Sequence, residues 1–422
     1  MVDDMVIARE APLDHGLPDR GLRPLRKLRT AGGFMALTAA LLGIGLLAVG
    51  LVGAANAQEA KPVRDTNLSG ITHSAEGGAV ILMYHRFGED HLPSTSIRLS
   101  QFEAHLDELV NGGYRVLPLP EIVSALREGR ALPDRSVAIT IDDGARSVYE
   151  EAWPRLQARN LPFTIFISTE PLDLGLPGYV SWDELREMVQ GGGVTVGNHG
   201  HRHSHMVRLS AEDQRANIDK AAVRLFAELG AAPEIFAYPY GEISAELRSA
   251  VRDAGFAAAF GQHSGAAGPM GDHLALPRFP INEAYGDMER FRLVANTLPL
   301  PVREVTPNDL FLRTASQNPP SFGFTVAGPI EDLRNLNCFA RGDEPALTLL
   351  DNRIELRLSR PLAAGRARIN CTLRADNGRW RWFGTQFVVS SEAAVAPPAP
   401  TAGPAAAPAA TPGATPGTAT SE

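Results

Sequence analysis

Short apolar runs alternate with amphipathic helices from Ala79 to about Val302, and this alternation constrains the fold more than any other feature of the sequence. A repeated strand–helix unit is typical of a parallel sheet or barrel, because each helix returns the chain to begin the next strand beside the last. About seven such units fit a barrel better than an open sheet. The predicted strands are 79–84, 114–117, 136–141, 163–168, 194–198, 234–238 and 256–260.

Several of the intervening helices begin with recognisable N-terminal signals. Ser100 and Ser181 are each followed three residues later by Glu, which is the pattern of a capping box. Ser210 stands three residues before Asp213 and gives a weaker signal of the same kind. These serines predict where three helices of the α/β region begin.

After Pro301 the pattern changes to short alternating strands separated by Gly, Asp and Asn turns, without helical stretches between them. The predicted strands are 321–327, 346–350, 353–358, 366–373 and 380–389. Strands of this length and spacing are typical of a β-sandwich. We therefore predict a barrel domain at 78–302, a small all-β, sandwich-like module at 303–392, and a disordered Ala/Pro/Thr-rich tail at 393–422.

The N-terminus carries a nearly charge-free run, 31–57, behind a basic segment. The run ends in Ala55-Asn56-Ala57, a small-x-small pattern at which signal peptides are cleaved, yet its apolar part, roughly 20 residues, can also span a bilayer. Residues 1–57 are predicted to be a cytoplasmic n-region with a signal peptide or membrane anchor, and 58–77 a linker. Cleavage is favoured, but anchoring in the inner membrane through 31–57 stays open. In both cases the rest of the chain is exported to the periplasm or cell surface.

The charge and the cysteines narrow the partners and the compartment. With a net charge of -8 and no basic block, the chain is not expected to bind nucleic acid. Contact with a membrane is expected only through the N-terminal segment. Cys338 and Cys371 are the two cysteines, and they could form one bridge in an oxidising compartment.

Polar residues follow four of the predicted barrel strands directly. They are His85 after 79–84, Asp142-Asp143 after 136–141, His199 after 194–198, and Tyr240 in the turn Tyr238-Pro239-Tyr240-Gly241 that closes 234–238. In a parallel barrel the C-terminal ends of all strands open onto one face, and active sites lie on that face. Residues far apart in the sequence are therefore predicted to converge.

Four of the 11 histidines lie in the seven-residue window 199–205. His199 and His203 are four residues apart, so one helical turn would place both imidazoles on the same side. With Asp143 they make a two-histidine, one-carboxylate set, which suits a catalytic zinc-type site with an open position. Asp142 lies beside this ligand and is left free to act as a general base.

These residues carry a resemblance to a known family over 79–300: this region resembles the polysaccharide deacetylases, the NodB homology or carbohydrate esterase 4 group. Asp142-Asp143-Gly144 is similar to the first family motif, T-F-D-D-G, with Ile141 in place of Phe. The segment 199–203 resembles the second motif, H-[S/T]-x-x-H, with Gly200 in place of Ser/Thr, and 236–241 resembles the third, R-x-P-[Y/F]. The resemblance implies a distorted (β/α)7 barrel that uses a divalent metal to remove N-acetyl groups from amino sugars.

Carried over to this sequence, the resemblance implies a role for each motif residue. The implied roles are the base for Asp142, metal ligation for Asp143, His199 and His203, and oxyanion binding by the backbone N–H of Tyr240, next to Pro239. One divalent metal ion is implied. Zinc is the expected ion, and cobalt, nickel or manganese would also suit these donors.

Two departures from the family pattern concern the proton-transfer groups. The third-motif arginine, which pairs with the base in the family, is Ala237 here, and Arg278 is predicted to replace it. The family's C-terminal Leu-x-His, which supplies the general acid, has no match after Arg278. His85 is predicted to be the general acid, with His263 as the alternative. Met83-Tyr84-His85 resembles an element of the subgroup that includes the biofilm poly-N-acetylglucosamine deacetylases.

The remaining aromatic and histidine residues allow two interpretations each. Trp182 opens a helix on the same barrel face, where it would either stack on a sugar ring or pack beneath the site. Trp380 and Trp382 share one face of a strand, which is either the core side of the module, the favoured interpretation, or a carbohydrate platform. His201 and His205 are expected to face solvent or to support the ligands.

The sequence therefore predicts an exported, metal-dependent polysaccharide deacetylase whose partner is an N-acetylated polysaccharide or oligosaccharide. Two alternatives stay open: a non-catalytic glycan-binding protein on the same barrel, and a hydrolase of another bond, such as an O-acetyl esterase. Retention of Asp142 and of the ligand set favours an enzyme. Ala237 at the position of the family arginine is the feature that supports a binding protein.

Overall fold

The structure is a computed structural model that describes residues 77–394, apart from 329 and 331. The predicted signal peptide or anchor at 1–57, the linker before Gly77 and nearly all of the predicted tail lie outside the described residues. Within the described part, no helix combines the length and the apolar character needed to cross a membrane.

The first part of the described chain alternates short strands with helices. The strands are β1 (Ala79–Tyr84), β2 (Arg86–Phe87), β3 (Ser96–Ile97), β4 (Arg115–Val116), β5 (Ser136–Asp143), β6 (Phe163–Ile167), β7 (Val194–Asn198), β8 (Ile235–Ala237), β9 (Ala258–Phe260) and β10 (Phe279–Pro280). The helices are α1 (Leu99–Asn111), α2 (Leu119–Glu128), α3 (Trp153–Ala158), α4 (Thr169–Asp173), α5 (Trp182–Gln190), α6 (Ala211–Leu229), α7 (Ala245–Asp253) and α8 (Met288–Ala295).

Seven of these strands form one parallel sheet in the order β10-β1-β5-β6-β7-β8-β9. The two edges of the sheet meet across 276–280, because Leu276 bridges to Phe260 of β9 while β10 pairs with β1. This confirms the predicted fold class, a (β/α)7 barrel followed by an all-β module.

One strand of the barrel differs from the sequence prediction. The segment 114–117 contributes only the two-residue β4, which pairs with the first two residues of β5 outside the main path. The seventh barrel strand is β10 instead. Two prolines, Pro277 and Pro280, interrupt this segment, so it lacks the apolar run by which the other strands are recognised.

The barrel strands are buried along almost their whole length. Every residue of β1 and β6 is buried, and β5 is buried up to Asp142. Parallel strands are covered by helices on one side and by the barrel interior on the other, so they appear in the sequence as continuous apolar runs. Asp143, the last residue of β5, is the first in that strand to reach a partly open position.

The helix starts agree with two of the three serine signals. Ser181 and Ser210 cap α5 and α6, and each accepts a hydrogen bond from the backbone N–H three residues later. Ser100 lies inside α1 and does not cap it. The side chain of Gln101 accepts the backbone N–H of Arg98, which places the start of the helix earlier.

The C-terminal part is built from strands, which form two sheets. The strands are β11 (Leu298–Pro299), β12 (Val302–Thr306), β13 (Phe311–Leu312), β14 (Phe322–Val326), β15 (Asn337–Ala340), β16 (Ala346–Leu350), β17 (Arg353–Arg357), β18 (Gly365–Arg374) and β19 (Trp380–Val389). One sheet has the order β11-β19-β18-β15 with β13 also on β19, and the other has the order β12-β14-β17-β16. Two 3₁₀ turns, Ala315–Gln317 and Leu333–Asn335, interrupt the strands that the sequence predicts to be free of helix.

Apolar side chains from both sheets share one core, which makes this module a sandwich. Phe322 and Phe324 enter this core from one sheet, and Phe387 enters it from the other. A disulfide between Cys338 and Cys371 joins β15 to β18 at a paired position.

The long hairpin β18–β19 has two faces with different partners. One face, which includes Cys371 and Phe387, belongs to the sandwich core. On the other face, Trp382 packs edge-on against Phe279 of the barrel, with 5.3 Å between ring centroids. Because alternate residues of a strand face opposite sides, the same hairpin serves both domains. The predicted placement of Trp382 in the core of the module is therefore wrong, because its ring packs against the barrel.

Candidate metal centre and active site

The three predicted metal ligands meet at the C-terminal ends of the barrel strands. Asp143 ends β5, His199 directly follows β7, and His203 lies in the loop beyond it. Asp143 Oδ1 lies 3.1 Å from His203 Nε2 and 3.4 Å from His199 Nε2. One donor atom from each residue lies within 4.8 Å of the other two, so the structure contains a possible Asp/His/His metal site.

A bent loop, rather than the helical turn suggested by the spacing, brings the two histidines together. Gly200 has a φ of +75°, and a Cβ at this position would lie 2.7 Å from Asn217 Oδ1. That oxygen accepts the backbone N–H groups of His201 at 2.7 Å and Arg202 at 3.3 Å. Asn217 of α6 thus holds the loop, and its closeness explains why glycine stands where the resembling family has Ser or Thr.

The ligand atoms are oriented toward a common point and lack other partners. His199 Nδ1 lies 2.7 Å from the Ala237 carbonyl oxygen, which can only accept, so Nδ1 carries the proton and Nε2 presents a lone pair. His199 Nε2 and Asp143 Oδ1 are both buried without a hydrogen-bond partner among the described residues. Buried polar atoms without a hydrogen-bond partner are rare in proteins. A divalent cation fits these two orphaned atoms and the nitrogen of His203.

Asp143 and His203 each stabilise the charged form of the other. Burial alone would raise the pKa of Asp143, but the charge of His203, with His199 and His85 close by, holds it well below its usual value. Burial alone would lower the pKa of His203, but Asp143 outweighs that effect, and the pKa is raised. Since a metal ion needs the lone pair of the imidazole, protons and metal compete for His203.

Asp142 forms a fully buried ion pair with Arg278. The guanidinium donates two hydrogen bonds to the carboxylate, at 2.6 Å to Oδ1 and 2.7 Å to Oδ2. It also donates to the Gly261 carbonyl at 2.9 Å and to Thr140 Oγ1 at 3.2 Å, and both side chains of the pair are 0% exposed. Burial alone would raise the pKa of Asp142, but Arg278, followed by His199, lowers it. The carboxylate is therefore ionised although it is buried.

His85 lies next to this pair, on the Asp142 carboxylate. Its Nε2 lies 3.9 Å from Asp142 Oδ2, and its side chain is 14% exposed. Burial lowers the pKa of His85, and Asp143 and Asp142 act in the opposite direction.

His263, the alternative acid, lies elsewhere. Its ring packs so closely on Gly261 that a Cβ there would meet Nδ1 at 2.5 Å. Burial lowers the pKa of His263 to about 4. Arg368, Arg278 and Asp272 are the charged residues that act on it most, and none of them is a metal ligand.

The turn Pro239–Gly241 follows β8 and contacts the metal cluster through one residue. Tyr240 has a φ of +59°, a left-handed conformation that is uncommon for a residue with a side chain. Its ring packs edge-on against His203 at 4.4 Å between centroids, and its hydroxyl donates to the His203 carbonyl at 3.2 Å. Burial raises the pKa of Tyr240, with Asp143 acting in the same direction.

The flanking histidines support the site without joining the ligand set. His205 stacks on the Tyr240 ring at 4.2 Å, and its Nδ1 lies 3.0 Å from the buried Glu242 carboxylate. His201 Nδ1 pairs with Thr169 Oγ1 at 2.8 Å.

The tryptophans do not meet the cluster. Trp182 donates from Nε1 to Asp173 at 3.0 Å, and the Arg224 guanidinium lies 5.3 Å from its ring. Among the described residues, no contact joins Trp182 to the metal ligands, so sugar stacking by Trp182 stays a prediction. Trp380 is partly exposed, and the Arg374 guanidinium lies 5.0 Å from its ring.

Two residues of the β-module reach this site, and sequence reasoning missed both. Gln386 Nε2 donates to the carbonyl oxygens of Tyr240 and Gly241, each at 3.0 Å. The Arg366 guanidinium lies 5.8 Å from the Tyr240 ring centroid. No local signal marks these residues, because they lie in a different domain from every site motif.

The fold and the site define a β/α barrel with an Asp/His/His metal-binding cluster and a buried Asp–Arg pair at the C-terminal ends of its strands. Residues 129–259 match the family model described as polysaccharide deacetylase. The matched residues lie within the barrel, and the β-module lies outside them.

Several known proteins are similar to this chain. A poly-beta-1,6-N-acetyl-D-glucosamine N-deacetylase of Staphylococcus aureus (strain MRSA252) is 25% identical over 238 residues, which cover 49% of this chain and 80% of that protein. Among solved structures, the Streptococcus pyogenes deacetylase PplD in complex with acetate is 20% identical with a TM-score of 0.49, covering 53% of this chain and 99% of that one. IcaB from Ammonifex degensii is 27% identical with a TM-score of 0.47, covering 54% of this chain and 100% of that one.

Proposed function

We propose that this protein is an exported, metal-dependent deacetylase that hydrolyses N-acetyl groups on the amino sugars of a polysaccharide. The observation that carries the proposal is the juxtaposition of orphaned ligand atoms on Asp143 and His199 with an ionised, buried Asp142. The match of residues 129–259 to the polysaccharide deacetylase family model and the similarity to an N-acetylglucosamine polymer deacetylase support the choice of reaction.

Asp143, His199 and His203 would hold one divalent ion. Zinc is proposed because two imidazoles and a carboxylate are its usual donors at catalytic sites, and cobalt, nickel or manganese also accept this set. When bound, the ion would act as a Lewis acid toward the acetyl carbonyl and lower the pKa of a water molecule. The proton competition at His203 means that metal affinity should fall as the pH falls.

Asp142 is the proposed general base. The bidentate contact with Arg278 keeps the carboxylate ionised and fixes its orientation, while each carboxylate oxygen keeps a lone pair that can receive a proton from water. The water oxygen then adds to the acetamide carbon, and the carbon–nitrogen bond breaks. The products are acetate and a free amine on the sugar.

His85 is the proposed proton donor to the leaving amine. Its ring lies next to Asp142, and its side chain is partly exposed to solvent. Because burial lowers the pKa of His85, the ring gives up a proton readily once it has received one from Asp142. The backbone N–H of Tyr240, beside Pro239, is proposed to stabilise the negative oxygen of the tetrahedral carbon.

Export is part of the same proposal. It is supported by the basic and apolar pattern of the N-terminal segment and by the Cys338–Cys371 disulfide, since such bonds persist in oxidising compartments. The polymer is expected to be reached in the periplasm or at the cell surface.

The test is acetate release from N-acetylglucosamine oligomers by the full chain, with and without a chelator, and again after zinc is restored. We expect release that stops with chelator, returns with zinc, and is abolished in Asp142→Asn without loss of bound metal. Asp107→Asn, an exposed carboxylate on α1, is the matched control and should keep full activity.

Two outcomes would point to the alternatives. Oligomer binding without acetate release from the metal-loaded protein would favour a glycan-binding role. Release of acetate from O-acetyl esters, with no new amine on the N-acetylated oligomer, would favour an esterase.

A further inference from the structure

We propose that the β18–β19 hairpin is a working part of the active site, in which Gln386 is a positioning residue for the turn Pro239–Gly241. This inference rests on the proposed function, because that turn is where the oxyanion is expected to be held.

The Gln386 side chain is tethered at both ends of its amide. It is 1% exposed, and its Nε2 donates to two consecutive carbonyl oxygens of the turn, those of Tyr240 and Gly241, at 3.0 Å each. Its Oε1 accepts a hydrogen bond from Arg368 Nε at 2.9 Å. Because carbonyl oxygens only accept and an arginine only donates, these partners fix which end of the amide is which.

The hydrogen bonds from Gln386 hold a turn whose backbone conformation is uncommon. Tyr240 has a φ of +59° and Gly241 a φ of +65°, so two successive residues are left-handed and the first of them is not glycine. A residue with a side chain keeps this conformation only when its surroundings hold it there. The ring and hydroxyl of Tyr240 in turn contact the ligand His203. Movement of the turn would therefore disturb both the proposed oxyanion donor and the support of one ligand.

The tether is an addition to the barrel. The family match ends at residue 259, and Gln386 lies in a strand of the separate β-module. The neighbouring contacts of the same hairpin face are made by Trp382 and Val388, which are apolar and would hold the domains together without an amide. Apolar packing alone does not require a buried glutamine at this position, so we attribute a further role to its amide.

The test uses Gln386→Met, which keeps the length of the side chain and removes both donors. We expect kcat to fall about tenfold to a hundredfold with KM and bound metal little changed, because an oxyanion donor acts mainly on the transition state. Gln386→Glu, which keeps the acceptor for Arg368 but has no donor, should lose a similar factor. Thr385→Val, on the opposite face of the same strand, is the control and should keep its kcat.

A second measurement does not depend on activity. Backbone hydrogen exchange in 236–243 should be faster in Gln386→Met than in Thr385→Val or the wild type. An unchanged kcat, or a kcat loss that matches the loss of folded protein while exchange in the turn is unaltered, would overturn the proposal. If the wild type releases no acetate but exchange in the turn responds as expected, the positioning role stands and the proposed reaction fails.

The other strand of the hairpin brings a cation to the edge of the site. Arg366 of β18 is exposed, and its guanidinium makes no hydrogen bond or ion pair with any of the described residues. It lies 5.8 Å from the Tyr240 ring centroid, and that ring lies 4.4 Å from the ring of His203. Contact with the aromatic ring holds the cation at the edge of the site while leaving its donors free.

We infer that Arg366 forms a subsite for an oxyanion substituent, a carboxylate or a phosphate, on the sugar chain. The planar guanidinium matches either group with two parallel hydrogen bonds. Arg368 on the same strand adds positive charge to this wall of the site. This inference also rests on the proposed function, which supplies the polysaccharide.

The test compares binding of three oligomers of N-acetylglucosamine, neutral, carboxylated and phosphorylated, to the catalytically inactive Asp142→Asn protein by calorimetry. Arg366→Gln should weaken binding of the anionic oligomers about fivefold to tenfold, with the neutral oligomer unchanged, and added salt should shrink the difference. Arg374→Gln, at the far end of β18, is the control and should leave all three affinities unchanged.

The two anionic oligomers separate the possible sources of the charge, because the natural substituent should bind more tightly than the other. Equal weakening of all three oligomers in Arg366→Gln, or no weakening of any, would overturn the subsite. Since binding is measured without turnover, a failed deacetylase assay would not decide this question.

Discussion

Replacement of Arg278 by methionine tests how the catalytic carboxylate is kept ionised. Arg278 donates two hydrogen bonds to Asp142, one to the Gly261 carbonyl and one to Thr140 Oγ1, and the ion pair is inaccessible to solvent. Methionine fills a similar volume without charge or donors. The change therefore leaves a buried carboxylate without its cation while disturbing packing as little as possible.

The size of the effect follows from the geometry. Removing one partner of a buried ion pair destabilises a protein by about 3–5 kcal/mol. The bonds to Gly261 and Thr140 account for about 1–2 kcal/mol of this at any pH. The remainder, about 3 kcal/mol, belongs to the ionised carboxylate, and at 1.36 kcal/mol for each pKa unit it corresponds to a rise of about two units in the pKa of Asp142.

The direction with pH is fixed by linkage. In the wild type the pKa of Asp142 is lowered, so its contribution to stability is present above the unfolded-state pKa and is lost as the pH falls through the folded-state pKa. In Arg278→Met the pKa of Asp142 is higher than in the wild type, so ionisation of the carboxylate stabilises the variant less, and this difference disappears once the carboxyl group is protonated in both proteins. The gap in unfolding free energy should therefore be widest near neutral pH and narrow toward pH ~4.

The assay is urea unfolding of the metal-free protein at several pH values, together with the pH dependence of kcat/KM. The acid limb of the activity profile should move up by about two pH units. In the double variant Arg278→Met/Asp142→Asn no buried charge remains, so the gap should be smaller and independent of pH. A gap in the single variant that is the same at pH ~8 and pH ~4 would refute the argument.

Three further predictions concern other parts of the site. His203→Ala should lose bound metal and activity together, because one of three ligands is removed, and metal analysis after dialysis checks this. His85→Gln should lower kcat by about a hundredfold at unchanged metal content, and an unaltered kcat would exclude His85 as the acid. Gly241→Ala should lower the free energy of unfolding by about 2 kcal/mol or more. The reason is that Gly241 has a φ of +65° and that a Cβ there would lie 2.5 Å from the Gln262 backbone nitrogen. Thermal unfolding measures this loss.

The barrel strands could be predicted because their burial on both faces leaves a continuous apolar run in the sequence. The positions of Asp143 and His199 followed from the same pattern, since each residue comes where such a run ends. Strand β10 could not be found in this way, because it has only two residues and one of them is proline. The start of α1 was misplaced by the sequence pattern at Ser100, since Gln101 competes for the backbone of Arg98.

Some features of the candidate site could likewise be predicted from the sequence, and others depend on tertiary contacts. Its ligand types and their order along the chain are local properties, so spacing and resemblance predict them. The bend at Gly200 is different, because it depends on Asn217 of a helix that follows in the chain but packs behind the loop. A helical turn and a bent loop give the same spacing of histidines in the sequence.

By itself, the sequence determined that a parallel barrel precedes an all-β module and that carboxylates and imidazoles lie where barrel strands end. The reason is that buried strands appear as apolar runs, and the site residues directly follow these runs in the sequence. The sequence also predicted Arg278 as the cation beside Asp142, and the structure places it there. Only the tertiary structure decided that Gln386 and Arg366 reach Tyr240. Gln386 and Tyr240 are 146 residues apart, and their contact exists because one face of a hairpin packs against the barrel. Contacts of this kind depend on how two domains pack, and no local pattern in the sequence records them.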